Sequence, residues 1–198
     1  MISVSVIVGL GNPGLRYRST RHNIGFRVIE EFGKRHSVRW RRNKDFEARK
    51  AELVMDSSRI FLFKPMTYMN DSGRSLGAII RYFGYRVDSV VVVYDDVNIE
   101  LGDAKISVSG SAGGHNGIEN ILAHIGDGFL RFRIGIGPKE PKEMAIKDFV
   151  LGKFTRNEQT LVNKKMENFQ DGLQLLVDSG PVVAMNQINR RTKKGING

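Results

Sequence analysis

The 198-residue chain contains no cysteine. That absence removes disulfides, thiol nucleophiles, iron–sulfur clusters and cysteine-ligated zinc together, so any catalysis must use histidine, carboxylates, amides or hydroxyls. Long apolar runs are missing as well: no window approaches the roughly 18 consecutive apolar residues of a membrane span. Nor does the start show the basic segment, apolar core and small-residue cleavage site of a signal peptide, because Met1 leads at once towards Ser3-Val4-Ser5-Val6-Ile7-Val8. A cytoplasmic protein without membrane contact is expected. There is no internal repeat and no low-complexity linker, and at this length one domain is the expectation. Its four histidines, His22, His36, His115 and His124, form no metal-binding spacing of the H-E-x-x-H kind.

Acidic residues are also scarce: 31 Lys and Arg face 21 Asp and Glu, a formal net charge of +10. The surplus is uneven. Residues 1–50 hold 12 basic and 4 acidic side chains, whereas residues 51–150 are neutral to slightly acidic, and residues 151–198 hold 8 basic and 4 acidic. The densest run is Lys34-Arg35-His36-Ser37-Val38-Arg39-Trp40-Arg41-Arg42, and Arg190-Arg191-Thr192-Lys193-Lys194 lies near the end. Such runs are either solvated surface or contacts for a polyanion. With the global excess, nucleic acid leads over an anionic membrane, since no basic amphipathic helix with an aromatic face is evident.

Strand and helix patterns alternate. Ser3–Gly9 reads as a buried strand, and His22–His36 as a helix with Ile24, Val28, Ile29 and Phe32 on one face and Ser19 or Thr20 as its cap. Phe46–Met55 and Arg59–Lys64 read as a hairpin turning through Asp56-Ser57-Ser58. A helix over Asp71–Phe83 precedes a strand, Ser89–Tyr94, whose four valines imply burial on both sheet faces. A short strand at Ala104–Val108, a glycine-rich turn, a helix carrying Ile118, Ile121, Leu122 and Ile125, and a strand at Phe129–Ile136 follow. Thr155 and Glu158 form a capping box for a helix to about Val177, and Pro181–Ile188 starts another. The pattern predicts an α/β fold, a single-domain three-layer α/β/α sandwich around a twisted mixed, mostly parallel sheet. The domain is expected over 1–189, with a basic C-terminal tail at 190–198. Ligands in such folds sit beyond the carboxyl ends of strands.

Several motifs converge on those ends. Gly9-Leu10-Gly11-Asn12-Pro13-Gly14 formally matches a dinucleotide fingerprint, but Pro13 stiffens the loop, the helix is delayed, and Glu30 and Glu31 fall inside that helix rather than after a second strand. The loop is better read as a turn presenting Asn12. His22, in the first turn of the expected helix, would be kept neutral by the helix N-terminus and so able to accept a proton. Asp95, at the end of a buried strand, is the natural carboxylate to orient it, though either residue is equally at home on a surface or in a cap. Gly73-Arg74-Ser75-Leu76-Gly77 matches a nucleophile elbow only formally, because it lies within a helix. Water is therefore the expected nucleophile. Asn12, Asn70 and Asn116 stand at turns or helix starts, where a carboxamide caps the chain or holds a peptide, a water and an oxyanion.

These residues together resemble bacterial-type peptidyl-tRNA hydrolases from Ile7 to about Phe154. The resemblance is carried by Val8 to Gly14, Tyr17, Thr20-Arg21-His22-Asn23-Ile24-Gly25 and Lys64-Pro65-Met66-Thr67-Tyr68-Met69-Asn70. Further motifs follow in order: Ser72-Gly73, Tyr94-Asp95-Asp96, Gly110 to Gly117, Arg133-Ile134-Gly135-Ile136-Gly137 and Phe149-Val150-Leu151. It implies hydrolysis of the ester between a peptide and the tRNA 3′-ribose, by a monomer using no metal or cofactor. By motif it implies that His22 activates water and Asp95 orients His22. Asn12 would lie near the ester, Asn70 and Asn116 would hold peptide backbone and water or oxyanion, Tyr17 and Met69 would line the 3′-end cleft, and Arg133 would bind tRNA phosphate. Two positions depart from the family pattern: Asn98 replaces a common acid and Ser107 a usual base. Lys105, on the same strand face and roughly 7 Å away, is the candidate substitute for the missing cation. The competing readings are an idle relative that only binds RNA or protein, and a dinucleotide oxidoreductase.

Overall fold

A computed structural model describes residues 3–55 and 58–194. Seven strands form one sheet in the order β2-β3-β4-β1-β5-β7-β6. They are β1 Val6–Gly9, β2 Arg41–Asn43, β3 Ala48–Met55, β4 Ser58–Pro65, β5 Val90–Glu100, β6 Ala104–Ser107 and β7 Leu130–Gly137. The four central strands are parallel and both flanks antiparallel, so the mixed sheet expected from the pattern is the one observed. Helices α1 (Ile24–Arg35), α2 (Ser72–Phe83), α3 (Asn116–Ile125), α4 (Ile146–Leu151) and α5 (Arg156–Lys194) complete the fold.

Two apolar layers follow from the two-residue period of strands. Ile7, Val91, Val93 and Phe132 pack against Val28 and Phe32 of α1 and Phe169 and Leu173 of α5. Val6, Val8, Val90 and Val92 pack against Leu76 and Ile79 of α2 and Ile118 and Ile121 of α3. Val90, Val91, Val92 and Val93 of β5 are fully buried, each stabilising the fold by about 1.5–3 kcal/mol relative to exposure.

The observed element bounds correct several expectations. β5 runs on through Asp95 and Asp96 to Glu100, because pairing with β7 continues to Gly135 and, after a bulge, joins Glu100 to Gly137. Asp95 is therefore inside a strand, not at its end. Helix α1 begins at Ile24, and His22 occupies a preceding 3-10 turn, Arg21–Asn23. Thr20 stands at the N-cap of that turn but makes no side-chain capping bond; its hydroxyl donates to the Tyr17 carbonyl. Strand β2 and helix α4 were not expected. Asp56 and Ser57 of the expected hairpin turn lie outside the described residues. The Thr155–Glu158 capping box forms reciprocally, and the two expected C-terminal helices meet at a kink where Gly180 adopts φ 77° ahead of Pro181. The second helix continues to Lys194, past residue 190 where the sequence places the tail.

Candidate active site

The His22 turn sits on the sheet because two glycines allow it. A Cβ on Gly25 would stand 2.3 Å from the Val93 carbonyl oxygen, and one on Gly9 would stand 2.5 Å from the Gly25 oxygen. This close contact lets Phe26 N donate to the Leu10 carbonyl while Leu10 N donates to Val93. The other side of the turn is held by the chain around α4. Arg21 donates to the Lys153 carbonyl at 2.8 Å and to both oxygens of Glu158 at 2.8 and 3.0 Å, with its guanidinium over the Phe149 ring. Its backbone N donates to the Gly152 carbonyl.

Within this frame His22 Nδ1 lies 2.9 and 3.0 Å from the two Asp95 oxygens. An ionised carboxylate only accepts, so Nδ1 carries the proton and Nε2 is left with a lone pair when the ring is neutral. A second imidazole completes the group. His115 caps α3 by accepting from Ile118 N at Nδ1, which places its proton on Nε2, 3.2 Å from Asp95 Oδ1. Asp95 is only 2% exposed. Burial alone would push its carboxyl up, but the two imidazoles hold it well below the usual carboxylate range.

For His22, burial pushes the imidazole down, and the charge and hydrogen bond of Asp95 outweigh that, so its pKa is raised above 6.5. The expectation that a helix N-terminus keeps His22 neutral is overturned, because the buried carboxylate beside the ring decides the sign. Linkage follows: the stability drawn from imidazolium–carboxylate pairing is complete below pH 6.5 and is lost as pH rises through the raised value. The Asp95 contribution is present above the ordinary carboxylate range and is lost as pH falls through its depressed value.

Asn12 is oriented as strictly. Its backbone N donates to Asn23 Oδ1 at 2.8 Å and its carbonyl accepts from Asn23 Nδ2 at 2.9 Å. Its side-chain oxygen accepts from Met69 N at 2.8 Å. Oδ1 being engaged, Asn12 offers Nδ2 as a donor, the group needed beside an ester carbonyl or an oxyanion.

Asn12, His22 and Asp95 line one cavity of about 730 Å³ with Tyr17, Met69, Asn70, Asn116 and Arg133. Asn70 and Asn116 are exposed at its rim, and the Tyr17 ring meets Tyr68 edge to face at 6.4 Å. Asn98 and Ser107 also line the cavity. Arg133 pairs with Asp96 at 3.2 Å. Lys105 is not in the lining; it stands directly across the β6–β7 ladder from Arg133, and Ser107 stands across from Arg131.

Three residues that shape this site carry no signal of it in the sequence. Asn23 and His115 stand inside the motifs Thr20 to Gly25 and Gly110 to Gly117, but only the fold reveals their partners. Arg131 is buried and donates to the carbonyls of Gly110 and Ser111 and to Asp127, which fixes the glycine loop ahead of α3. Ser75, of the formal elbow, is buried and donates to the Phe46 carbonyl, so it is unavailable as a nucleophile. Ligand atoms of His22, Asp95 and His115 lie within 4.8 Å of one another, a donor set chemically suited to a divalent cation. Both histidine contacts are already accounted for as hydrogen bonds to the carboxylate.

Residues 6–195 match the family model described as peptidyl-tRNA hydrolase. The chain belongs to the peptidyl-tRNA hydrolase family. It is 39% identical to the Rubrobacter xylanophilus peptidyl-tRNA hydrolase over 93% of this chain and 99% of that one. To the Lactiplantibacillus plantarum peptidyl-tRNA hydrolase it is 43% identical over 77% and 81% of the two chains. The crystal structure of the Acinetobacter baumannii peptidyl-tRNA hydrolase superposes with a TM-score of 0.89 at 35% identity, covering 96% of each chain. Membership in this hydrolase family agrees with the resemblance carried by the motifs.

Proposed function

We propose that this protein hydrolyses the ester between a peptide, or an N-blocked amino acid, and the 3′-ribose of tRNA, freeing tRNA from prematurely dissociated peptidyl-tRNA. His22 Nε2 takes a proton from water as the water oxygen attacks the ester carbonyl. The bond to the ribose oxygen then breaks, and the imidazolium returns the proton to that oxygen. Asp95 holds Nδ1–H and stabilises the transient imidazolium. Asn12 Nδ2 donates towards the carbonyl or oxyanion, and Asn70 and Asn116 hold peptide backbone and place water. Those contacts involve groups common to every peptide, which suits a substrate of varied sequence.

Tyr17 and Met69 line the path of the tRNA 3′-end. Arg133, with Lys105 beside it, takes a tRNA phosphate, and to do so Arg133 must exchange Asp96 for the phosphate. The protein works in the cytoplasm as a monomer without metal or cofactor, through one domain whose last helix carries the start of the basic C-terminal segment.

The observation that carries this reading is the pairing of His22 Nδ1 with buried Asp95 beside the oriented amide of Asn12. The test is release of an N-acylated amino acid from tRNA by the protein and by its His22→Ala variant at matched tRNA affinity. Loss of about 10³-fold in kcat is expected. Equal release by both proteins would remove His22 from the mechanism, and release by neither would favour a binding-only relative.

A further inference from the structure

The densest basic run of the sequence takes no part in the cleft. It enters the sheet as edge strand β2, four strands and roughly 19 Å from β5 at ordinary strand spacing. Arg39, Arg41, Arg42 and Lys44 are exposed, as is Arg49 on β3. None of these five forms an ion pair among the described residues, whereas Arg35, Arg59, Arg74, Arg86 and Arg133 all do.

The cations are also set against one another. Arg41 stands directly across from Lys50, and Arg42 across from Arg49. Like charges in directly opposed positions destabilise a sheet. Because successive side chains point to opposite faces, the two oppositions put positive charge on both sides of the ribbon. The acids nearby do little to offset it: Glu47 is paired with Arg74, and Glu52 with Arg59. Asp45 alone, in the turn to β3, remains without an ion-pair partner among the described residues.

We infer that the β2–β3 edge is an RNA-binding surface that takes the phosphate backbone of a structured RNA other than the acceptor end entering the cleft. Arginine, four of the five free cations, is the side chain whose planar donors fit phosphate oxygens. The edge lies on the opposite side of β1 and β5 from Arg133, so it is placed for a separate stretch of RNA. A lipid surface fits less well, because no large apolar side chain is exposed between Arg39 and Lys50 and Trp40 is half-buried against Gly33. The rival explanation is that edge charge merely stops this strand pairing with other chains. That purpose needs no opposed cations on the inner strand.

The experiment uses the full chain and a triple variant, Arg39→Gln, Arg41→Gln and Arg42→Gln. Affinity for a 20-base-pair RNA duplex is measured between 50 and 200 mM salt, beside hydrolysis of a short acceptor-stem substrate and the melting temperature. The variant is expected to lose at least tenfold in duplex affinity, with the salt slope reduced by about 3. Its kcat and KM on the short substrate stay unchanged, which separates this surface from the catalytic reading. Its Tm holds or rises as the like-charge oppositions are relieved. Unchanged duplex affinity and slope would overturn the inference and leave only the anti-pairing role. So would a charge-dependent gain in binding confined to phosphatidylserine vesicles, or a duplex loss explained by a lowered Tm and not rescued when Lys replaces Arg.

Discussion

In the cleft, a carboxylate 2% exposed accepts from two imidazoles, and a carboxamide 8% exposed is fixed by a second carboxamide and a backbone N–H. At β2, exposed arginines have no acid to meet and stand opposite further cations. The contrast separates two uses of polarity. Buried groups that partner one another are held in place before substrate arrives, so their dipoles need no reorganisation during reaction. Exposed unpartnered charges act at a distance and are screened by salt. Arg133 lies between these extremes, paired with Asp96 yet 30% exposed at its side chain.

Substitutions can break or sharpen that contrast. The largest effect after loss of His22 itself is expected from Asp95→Asn, which removes the charge and the acceptor that fix the imidazole. Its kcat should fall by about 10²–10⁴-fold with little change in KM. Next comes Asn23→Ala, which leaves the buried N–H and carbonyl of Asn12 unpaired. It should cost about 1–3 kcal/mol of stability in denaturant titrations and about tenfold in kcat through the displaced amide.

Arg133→Glu tests the intermediate region. It should raise KM several-fold and flatten the salt dependence of kcat/KM while kcat is kept. An unchanged salt slope would count against a phosphate contact there. The smallest effect is expected from chelation: dialysis against EDTA should leave kcat unaltered, and a loss restored by Zn²⁺ would assign the His22, Asp95 and His115 set to a metal.

The fold was legible wherever a period was long enough to read. The four consecutive valines of β5, the apolar faces of α1 and α3 and the Thr155–Glu158 box all appear where the pattern puts them. Strand β2 was hidden because its three residues are Arg, Arg and Asn, which carry charge rather than alternation. Helix α4 was hidden by its six-residue length and the absence of a side-chain cap. In the site, the amides and the histidine at turns stand out in the sequence, since such groups invite a binding or catalytic reading. Asn23, His115 and Arg131 do not, because their importance lies in contacts across 11 to 21 positions of chain that only the folded sheet creates. The sign of the His22 shift is hidden for the same reason: its local position suggests a helix end, while Asp95 arrives from 73 residues away.

The central claim is that a buried carboxylate tunes and aims His22 as the base. The pH dependence of kcat/KM for release of an N-acylated amino acid from tRNA tests it most directly, in the protein and in Asp95→Asn. A neutral base loses activity as it protonates, so the protein should show an acidic limb above pH 6.5. In Asp95→Asn burial is left unopposed, and the limb should move to lower pH while the plateau drops. An acidic limb at the same pH in both proteins would contradict the account.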